Sequence, residues 1–202
     1  TVSFSNGNAK SSRMTSSRWI NEDTSNAFLV GCDDGTVRIW GNLMEGNGEK
    51  SAGSPRLLSA FRAAPVEARP SGSGLVLEWQ PFSGTLIAGG NSTFLHCWDL
   101  QAEKVVNKLA TNTDACVTTL TTAWDFDKLG FGRAPQGYDG IGQDIVVAGH
   151  SDGSLKIFDI RTRHVAGEMR EEHGHSSGGR SVRRITSYKE HKSWVVTTAF
   201  TC

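Results

Sequence analysis

The amino-acid sequence predicts an all-β protein built from repeated four-stranded antiparallel sheets. Two observations indicate this fold class. One segment recurs three times along the chain, and each copy has the alternation and the turn residues of a β-hairpin. Strand-like runs also flank every copy, which makes each copy the middle of a larger sheet.

The recurring segment begins at a glycine and ends on an aromatic residue nine positions later. The pairs are Gly31 with Trp40, Gly89 with Trp98, and Gly149 with Phe158. Successive copies are therefore offset by 58 and then 60 residues. Because the same positions agree in all three copies, the sequence indicates one structural unit repeated along the chain.

Each copy reads as an apolar strand, a tight turn and a second strand that alternates apolar and polar residues. Gly35 and Gly153 supply the positive φ that such a turn needs, and Asp34 and Asp152 can accept hydrogen bonds from turn amides. The middle copy has Ser92 and Thr93 there instead of Asp-Gly, so its turn is expected to differ.

Further strands are predicted on both sides of each hairpin, at 18–21, 75–79 and 116–121 before it and at 56–61, 104–109 and 183–188 after it. A repeated four-stranded sheet whose third strand ends on an aromatic residue is typical of a β-propeller blade. Trp98-Asp99 is the WD dipeptide of such blades, and Trp40-Gly41 and Phe158-Asp159 are degenerate forms. His191 occupies the slot that precedes the first strand of a blade in the WD pattern.

The sequence thus predicts about three blades of a larger, seven-bladed WD-repeat ring in a chain cut from a longer protein. After a polar lead-in at 1–15, the partial propeller covers 16–202. Its blades are predicted at 16–61, 74–109 and 115–188, and the first strand of the next blade at 194–200.

Three insertions lengthen the blades beyond the ~40 to 45 residues of a plain WD repeat. They lie at 41–54, 123–143 and 161–182, and the strand order predicts that all three emerge on one face of the disc. The third insertion and its C-terminal flank are basic, which suggests contact with an acidic or phosphorylated partner. The alternative is a merely solvated loop. The candidate partner-binding residues are Arg161, Arg163, Arg170, Arg180, Arg183 and Arg184.

Composition argues against several function classes. The 21 basic and 21 acidic residues leave no net charge, so a general nucleic-acid or membrane-surface binder is not expected. No apolar stretch reaches the ~20 residues that span a bilayer. Four scattered cysteines suit reduced core thiols in a cytosolic protein.

Three motifs suggest a hydrolase, a metal site and a glycosylation site, and none of the three is supported by its context. Gly149 to Gly153 matches the Gly-x-Ser-x-Gly elbow around Ser151, but a strand pattern follows where a hydrolase needs a helix. The histidines near the third insertion lack a rigid framework for a metal, and the Asn91 sequon falls in a hairpin turn. No catalytic residue, metal site or cofactor is predicted.

Several stretches resemble the raptor family of WD-repeat proteins, the regulatory-associated proteins of TOR. The matching runs lie at 33–42, 74–79, 115–120, 145–159 and 186–196, in the family's order. The insertions at 123–143 and 161–182 depart from the family's pattern. The resemblance implies a non-catalytic scaffold of TOR complex 1 that binds the TOR kinase and presents substrates to it in nutrient-responsive growth.

The resemblance further implies a cytoplasmic protein that partners recruit to the lysosomal or vacuolar membrane. The alternative is another WD-repeat adaptor, such as a ubiquitin-ligase substrate receptor or a trafficking coat component.

Overall fold

The computed structural model describes residues 12–20, 27–41, 55–65, 74–81, 83–122, 145–160, 186–189 and 192–199. Every regular element in these ranges is a β-strand. The strands are β1 (Met14–Ile20), β2 (Ala27–Cys32), β3 (Thr36–Gly41), β4 (Arg56–Arg62), β5 (Leu75–Gln80), β6 (Thr85–Gly90), β7 (Phe94–Asp99), β8 (Lys104–Ala110), β9 (Val117–Thr122), β10 (Ile145–His150), β11 (Ser154–Asp159) and β12 (Thr186–Lys189).

The twelve strands form three separate four-stranded sheets, each in sequential order and antiparallel throughout. Strands β1 to β4 make blade 1, β5 to β8 make blade 2, and β9 to β12 make blade 3. The predicted fold class of WD-repeat propeller blades is therefore confirmed. The three repeated hairpins are β2–β3, β6–β7 and β10–β11, as the recurring segment predicted.

Two apolar cores lie between the blades. The first joins blade 1 to blade 2 and includes Leu29, Val37, Leu77, Leu86 and Trp98; the second joins blade 2 to blade 3 and includes Ile87, Leu95, Val117, Val146 and Phe158. All residues of β5 and β6 are buried, because blade 2 is covered on both of its faces. Each blade is therefore stabilised by apolar area that only its neighbours can cover.

Strand bounds differ from the prediction at two places. The first strand of blade 1 was predicted at 18–21, but β1 already begins at Met14. Thr15, Ser16 and Ser17 are polar, so the alternation of apolar residues gave no signal there. The predicted first strand of a fourth blade at 194–200 is not paired as a strand within 192–199. In the described part of the chain no segment forms a ladder with it, although the Val195 N–H donates to the His150 carbonyl at 3.2 Å.

Candidate protein-interaction platform

The first strands of the three blades lie beside one another. Contacts join β1 to β5 and β5 to β9, whereas hydrogen-bonded pairing stays within each sheet. The sheets are thus stacked radially around these inner strands, with β4, β8 and β12 as the outer strands. This arrangement distinguishes propeller blades from a single continuous sheet.

The repeated glycine allows the next inner strand to approach closely. A Cβ atom on Gly31 would lie 3.0 Å from the Leu77 side chain, and one on Gly149 would lie 2.6 Å from Cγ1 of Val195. A Cβ atom on Gly89 would lie 3.3 Å from Cγ1 of Val117. Each of these neighbours belongs to the chain that follows the glycine's own blade. The sequence shows that the glycine recurs at a regular spacing. It does not show that the missing side chain makes room for the neighbouring segment.

The aromatic residue that closes strand three packs toward the preceding blade. The Trp98 ring lies 4.7 Å from the Phe61 ring, and its indole N–H donates to the Ala63 carbonyl at 2.9 Å. Phe158 is fully buried in the second core. Trp40, at the same position of blade 1, is half-buried. An aromatic ring at this position joins adjacent sheets, as expected for a large planar side chain.

The hairpin turns are closed by side-chain oxygens. Gly35 and Gly153 have φ values of 82° and 83°. Oδ1 of Asp34 accepts from the N–H of Thr36 at 3.0 Å, and Oδ1 of Asp152 accepts from the N–H of Ser154 at the same distance. The middle turn differs in residue type but closes similarly, because Oγ of Ser92 accepts from the N–H of Phe94 at 3.1 Å.

Three further residues of the WD pattern are Asp99, Asp159 and His191. Oδ1 of Asp99 accepts from the N–H of Ala102 at 3.0 Å in the turn after β7. Asp159 is the last residue of β11. His191 lies outside the described residues. The dipeptide's aspartate therefore serves the local turn in blade 2.

Threonine hydroxyls join an inner strand to the chain that follows its blade at two places. The Thr15 hydroxyl donates to the Leu75 carbonyl at 2.7 Å and accepts from the Leu75 N–H at 3.0 Å. The Thr118 hydroxyl donates to the Val195 carbonyl at 2.6 Å. These two threonines occupy equivalent positions one residue before the partner of the repeated glycine. Sequence reasoning missed them, since a polar residue in a strand is ordinarily assigned to solvent.

A buried carboxylate joins all three blades. Oε2 of Glu78 on β5 accepts from Nε of Arg18 on β1 at 2.8 Å. Oε1 of Glu78 lies 3.4 Å from both the backbone nitrogen and the hydroxyl of Thr122 on β9. Burial raises the pKa of Glu78, and Arg18 and then Thr122 act against that rise. The sequence signal for this site was a glutamate inside an otherwise apolar strand.

A cation or histidine occupies the same position of strand three in every blade: Arg38, His96 and Lys156. Nη2 of Arg38 donates to the Ser12 hydroxyl at 2.9 Å, and Nζ of Lys156 donates to the carbonyl of Asn112 at 3.1 Å. Both acceptors precede the first strand of the same blade. Burial lowers the pKa of His96, so this ring favours its neutral form.

Ser151, the serine of the elbow-like motif, serves the backbone. Its hydroxyl oxygen accepts from the Cys116 N–H at 3.1 Å, and Nδ1 of the adjacent His150 lies 3.3 Å from the Ser154 carbonyl. β11 follows directly where a nucleophile elbow needs a helix. In blade 2, burial raises the pKa of the Cys97 thiol to about 12, which disfavours the thiolate form that a cysteine nucleophile needs.

The ends of the strands that flank the three insertions lie at one end of their sheets. Gly41 pairs with Arg56 at the end of blade 1. In blade 3, Thr122 pairs with Val146, and Ile157 pairs with Thr186, at the corresponding end. Blade 2 has only the short connections 81–84 and 100–103 at this end. This insertion-bearing edge is opposite the Asp-Gly turns.

The insertions themselves lie mostly outside the described residues, as do all six candidate arginines, Arg161, Arg163, Arg170, Arg180, Arg183 and Arg184. The histidines near the third insertion also lie outside the described residues. Among the residues that are placed, no cluster of three metal-ligating side chains is found. No helix in the same ranges is long and apolar enough to cross a membrane.

Relatives were found by sequence, although no family model matches the chain. It is 33% identical over 143 residues to "Regulatory-associated protein of TOR 2" of Oryza sativa, which covers 71% of the chain and 9% of that protein. It is 29% identical over 159 residues to "Target of rapamycin complex 1 subunit KOG1" of Saccharomyces cerevisiae, covering 78% of the chain and 9% of the relative. This chain belongs to the raptor family, and we call it the raptor-like segment.

One solved structure agrees with this assignment, and a second shares the fold alone. The crystal structure of Chaetomium thermophilum Raptor matches 96% of the chain with a TM-score of 0.62 and 25% identity, over 14% of that protein. A computationally designed protein, Ika4, matches the fold with a TM-score of 0.54 at 16% identity, over 96% of the chain and 84% of the design. The raptor-like segment spans about a tenth of the length of its yeast and rice relatives.

Proposed function

We propose that the raptor-like segment is a protein-binding platform in a subunit of TOR complex 1. In this proposal it takes part in holding the TOR kinase and presenting substrates to it, and it catalyses no reaction itself. The support comes from relatives that are named as TOR complex 1 subunits and as regulatory-associated proteins of TOR. The segment's radial blades are a rigid support of the kind on which binding loops are displayed.

The observation that carries the proposal is the insertion-bearing edge. Blades 1 and 3 place the roots of all three insertions at the same end, and blade 2 between them has only short connections there. Loops carried on a rigid scaffold are common sites of partner binding. We therefore assign partner contact to this edge rather than to the edge with the tight Asp-Gly turns.

An exchange of loops in the full-length protein tests this assignment. Residues 123–143 are replaced by a Gly-Ser linker of four residues, about the length of the connection between β5 and β6. The expected result is reduced co-purification of the TOR kinase or of its substrates. A matched control replaces 66–73, which connects the ends of β4 and β5 that face away from the insertion-bearing edge, by the same linker and should co-purify both. Equal co-purification by both variants would contradict the assignment.

The six arginines of the third insertion and its C-terminal flank are a second part of the proposal. Their charge suits an acidic or phosphorylated segment, since guanidinium groups bind carboxylates and phosphates in bidentate fashion. Charge reversal at Arg161, Arg163 and Arg170 should weaken partner binding and make it less dependent on salt. If the loop is merely solvated, neither the binding nor its salt dependence will change.

For localisation we propose a cytoplasmic protein that its partners bring to the lysosomal or vacuolar membrane. Fluorescence imaging of the full-length protein tests this: the 123–143 exchange should leave it diffuse in the cytoplasm. Membrane recruitment that is unaffected by the exchange would show that recruitment does not depend on this insertion.

A further inference from the structure

We propose that Glu78 couples the root of the second insertion to blade 1. Arg18 on the first blade and Thr122 on the third are held by the two oxygens of this one carboxylate. Arg18 thereby controls how firmly Thr122, the last residue before the insertion at 123–143, is fixed. The consequence for partner binding depends on the proposed function, but the coupling itself does not.

The geometry places Glu78 at the centre of this network. The Glu78 side chain is 7% exposed, and Nε of Arg18 lies 2.8 Å from Oε2. Arg18 also donates from Nη1 to the Ser17 carbonyl at 2.9 Å, which fixes the guanidinium on its own strand. On the other side, the N–H and the hydroxyl of Thr122 face Oε1 at 3.4 Å. Arg18 and Thr122 therefore meet only through the carboxylate.

The interface between blades 2 and 3 lacks the threonine bridge that links Thr15 to Leu75 and Thr118 to Val195. On either side of it, the Thr15 hydroxyl joins β1 to β5 and the Thr118 hydroxyl joins β9 to the segment 192–199. The equivalent residue of blade 2 is Leu75, which has no hydroxyl. Glu78 thus provides a polar contact between β5 and β9 at the interface where the threonine bridge is missing.

The coupling follows from the cost of burying a charge. A carboxylate this deeply buried keeps its charge only with a nearby cation, and burial already raises its pKa against the influence of Arg18. Without Arg18, Glu78 would take up a proton more readily. A neutral carboxyl group is a weaker acceptor than a carboxylate, so the contacts to Thr122 would weaken.

The location of Thr122 gives this coupling a consequence for the edge. It ends β9 and pairs with Val146 at the start of β10, so both roots of the insertion meet at this pair. A change in blade 1 that moves Arg18 would loosen these roots without touching blade 3. The structure in this way connects the packing of blades 1 and 2 to the insertion-bearing edge.

Amide hydrogen exchange on the full-length protein tests the coupling with four forms: wild type, Arg18→Met, Glu78→Gln and the double variant. Arg18→Met should speed exchange in peptides covering 117–122 and 145–150 by about tenfold, the change that corresponds to losing a charge-assisted hydrogen bond. Glutamine keeps an acceptor oxygen without a charge, so in the Glu78→Gln background the same change should alter exchange less than about twofold.

Arg38→Met is the matched control, because it removes an arginine of the same blade that bonds Ser12 instead of Glu78. It should leave exchange at 117–122 unchanged. The proposal is overturned if Arg18→Met has the same effect with and without Glu78, has no effect in either background, or acts no differently from Arg38→Met. Loss of kinase co-purification is measured separately, so coupling without kinase binding would overturn only the proposed function.

Discussion

The indole N–H of Trp98 donates a hydrogen bond to the carbonyl oxygen of Ala63 at 2.9 Å, across the boundary between two blades. Ala63 directly follows the outer strand β4, and its own N–H donates to the Gly35 carbonyl of the blade 1 hairpin turn. The aromatic residue of one repeat is thereby tied to the turn of the repeat before it. The tryptophan of the WD signature therefore stabilises the contact between two blades as well as its own blade.

Substitution of Trp98 separates the packing of the ring from its hydrogen bond. Trp98→Phe should cost about 0.5–1.5 kcal/mol for the lost bond, because phenylalanine keeps much of the ring as Phe158 does in blade 3. Trp98→Ala should cost about 3–5 kcal/mol, since it leaves a cavity. Urea unfolding of the complete propeller measures both. Equal losses in the two variants would contradict a role for ring packing.

A methyl group at Gly149 should force the segment that contains Val195 away from β10. Its Cβ atom would lie 2.6 Å from Cγ1 of Val195 and 2.7 Å from Cγ2 of Thr119. Gly149→Ala is therefore expected to destabilise the propeller by about 1–3 kcal/mol. Adding Val195→Ala should recover part of this loss in the same unfolding measurement. If the second substitution only adds to the damage, the contact between the two residues is not the cause.

The repeat made the hairpins predictable from the sequence. The glycine-to-aromatic spacing identified β2–β3, β6–β7 and β10–β11, and Asp34 and Asp152 close their turns as their residue type indicated. This success has a local cause, because period-two alternation and turn chemistry act over a few residues.

The contacts between blades could not be predicted in the same way. Thr15 and Glu78 are polar residues whose partners lie 60 positions away in the chain. A single sequence does not show which blades adjoin, so a polar residue in a strand reads as solvent-facing. The early start of β1 was missed for the same reason.

The pH dependence of stability should reveal the buried charge of Glu78. Its folded pKa is raised above the ordinary 4.5, so protonation favours the fold; this stability is present below pH 4.5 and is lost as the pH rises through the raised pKa. Glu78→Gln has no such titration. In urea unfolding, the free energy of unfolding of the Glu78→Gln variant minus that of wild type should therefore increase between about pH 4 and about pH 7. A constant difference would contradict the raised pKa.

His150 should act in the opposite direction. Burial, and then the charge of Lys156, lowers its folded pKa below the ordinary 6.5. Its contribution to stability is present above pH 6.5 and is lost as the pH falls toward the folded pKa, because the unfolded chain binds the proton first. His150→Cys, which copies Cys32 at the equivalent position, should lose less stability than wild type over that interval. Parallel pH profiles would refute the burial of a neutral ring.

Electron cryomicroscopy of the full-length protein, at a resolution that shows side chains, tests the radial stacking of the blades most directly. The account predicts the Trp98 indole against Phe61, with its nitrogen within hydrogen-bond distance of the Ala63 carbonyl, and β1, β5 and β9 side by side. A map that joins the three hairpins in one continuous sheet, or shows any of them as a helix, would contradict it.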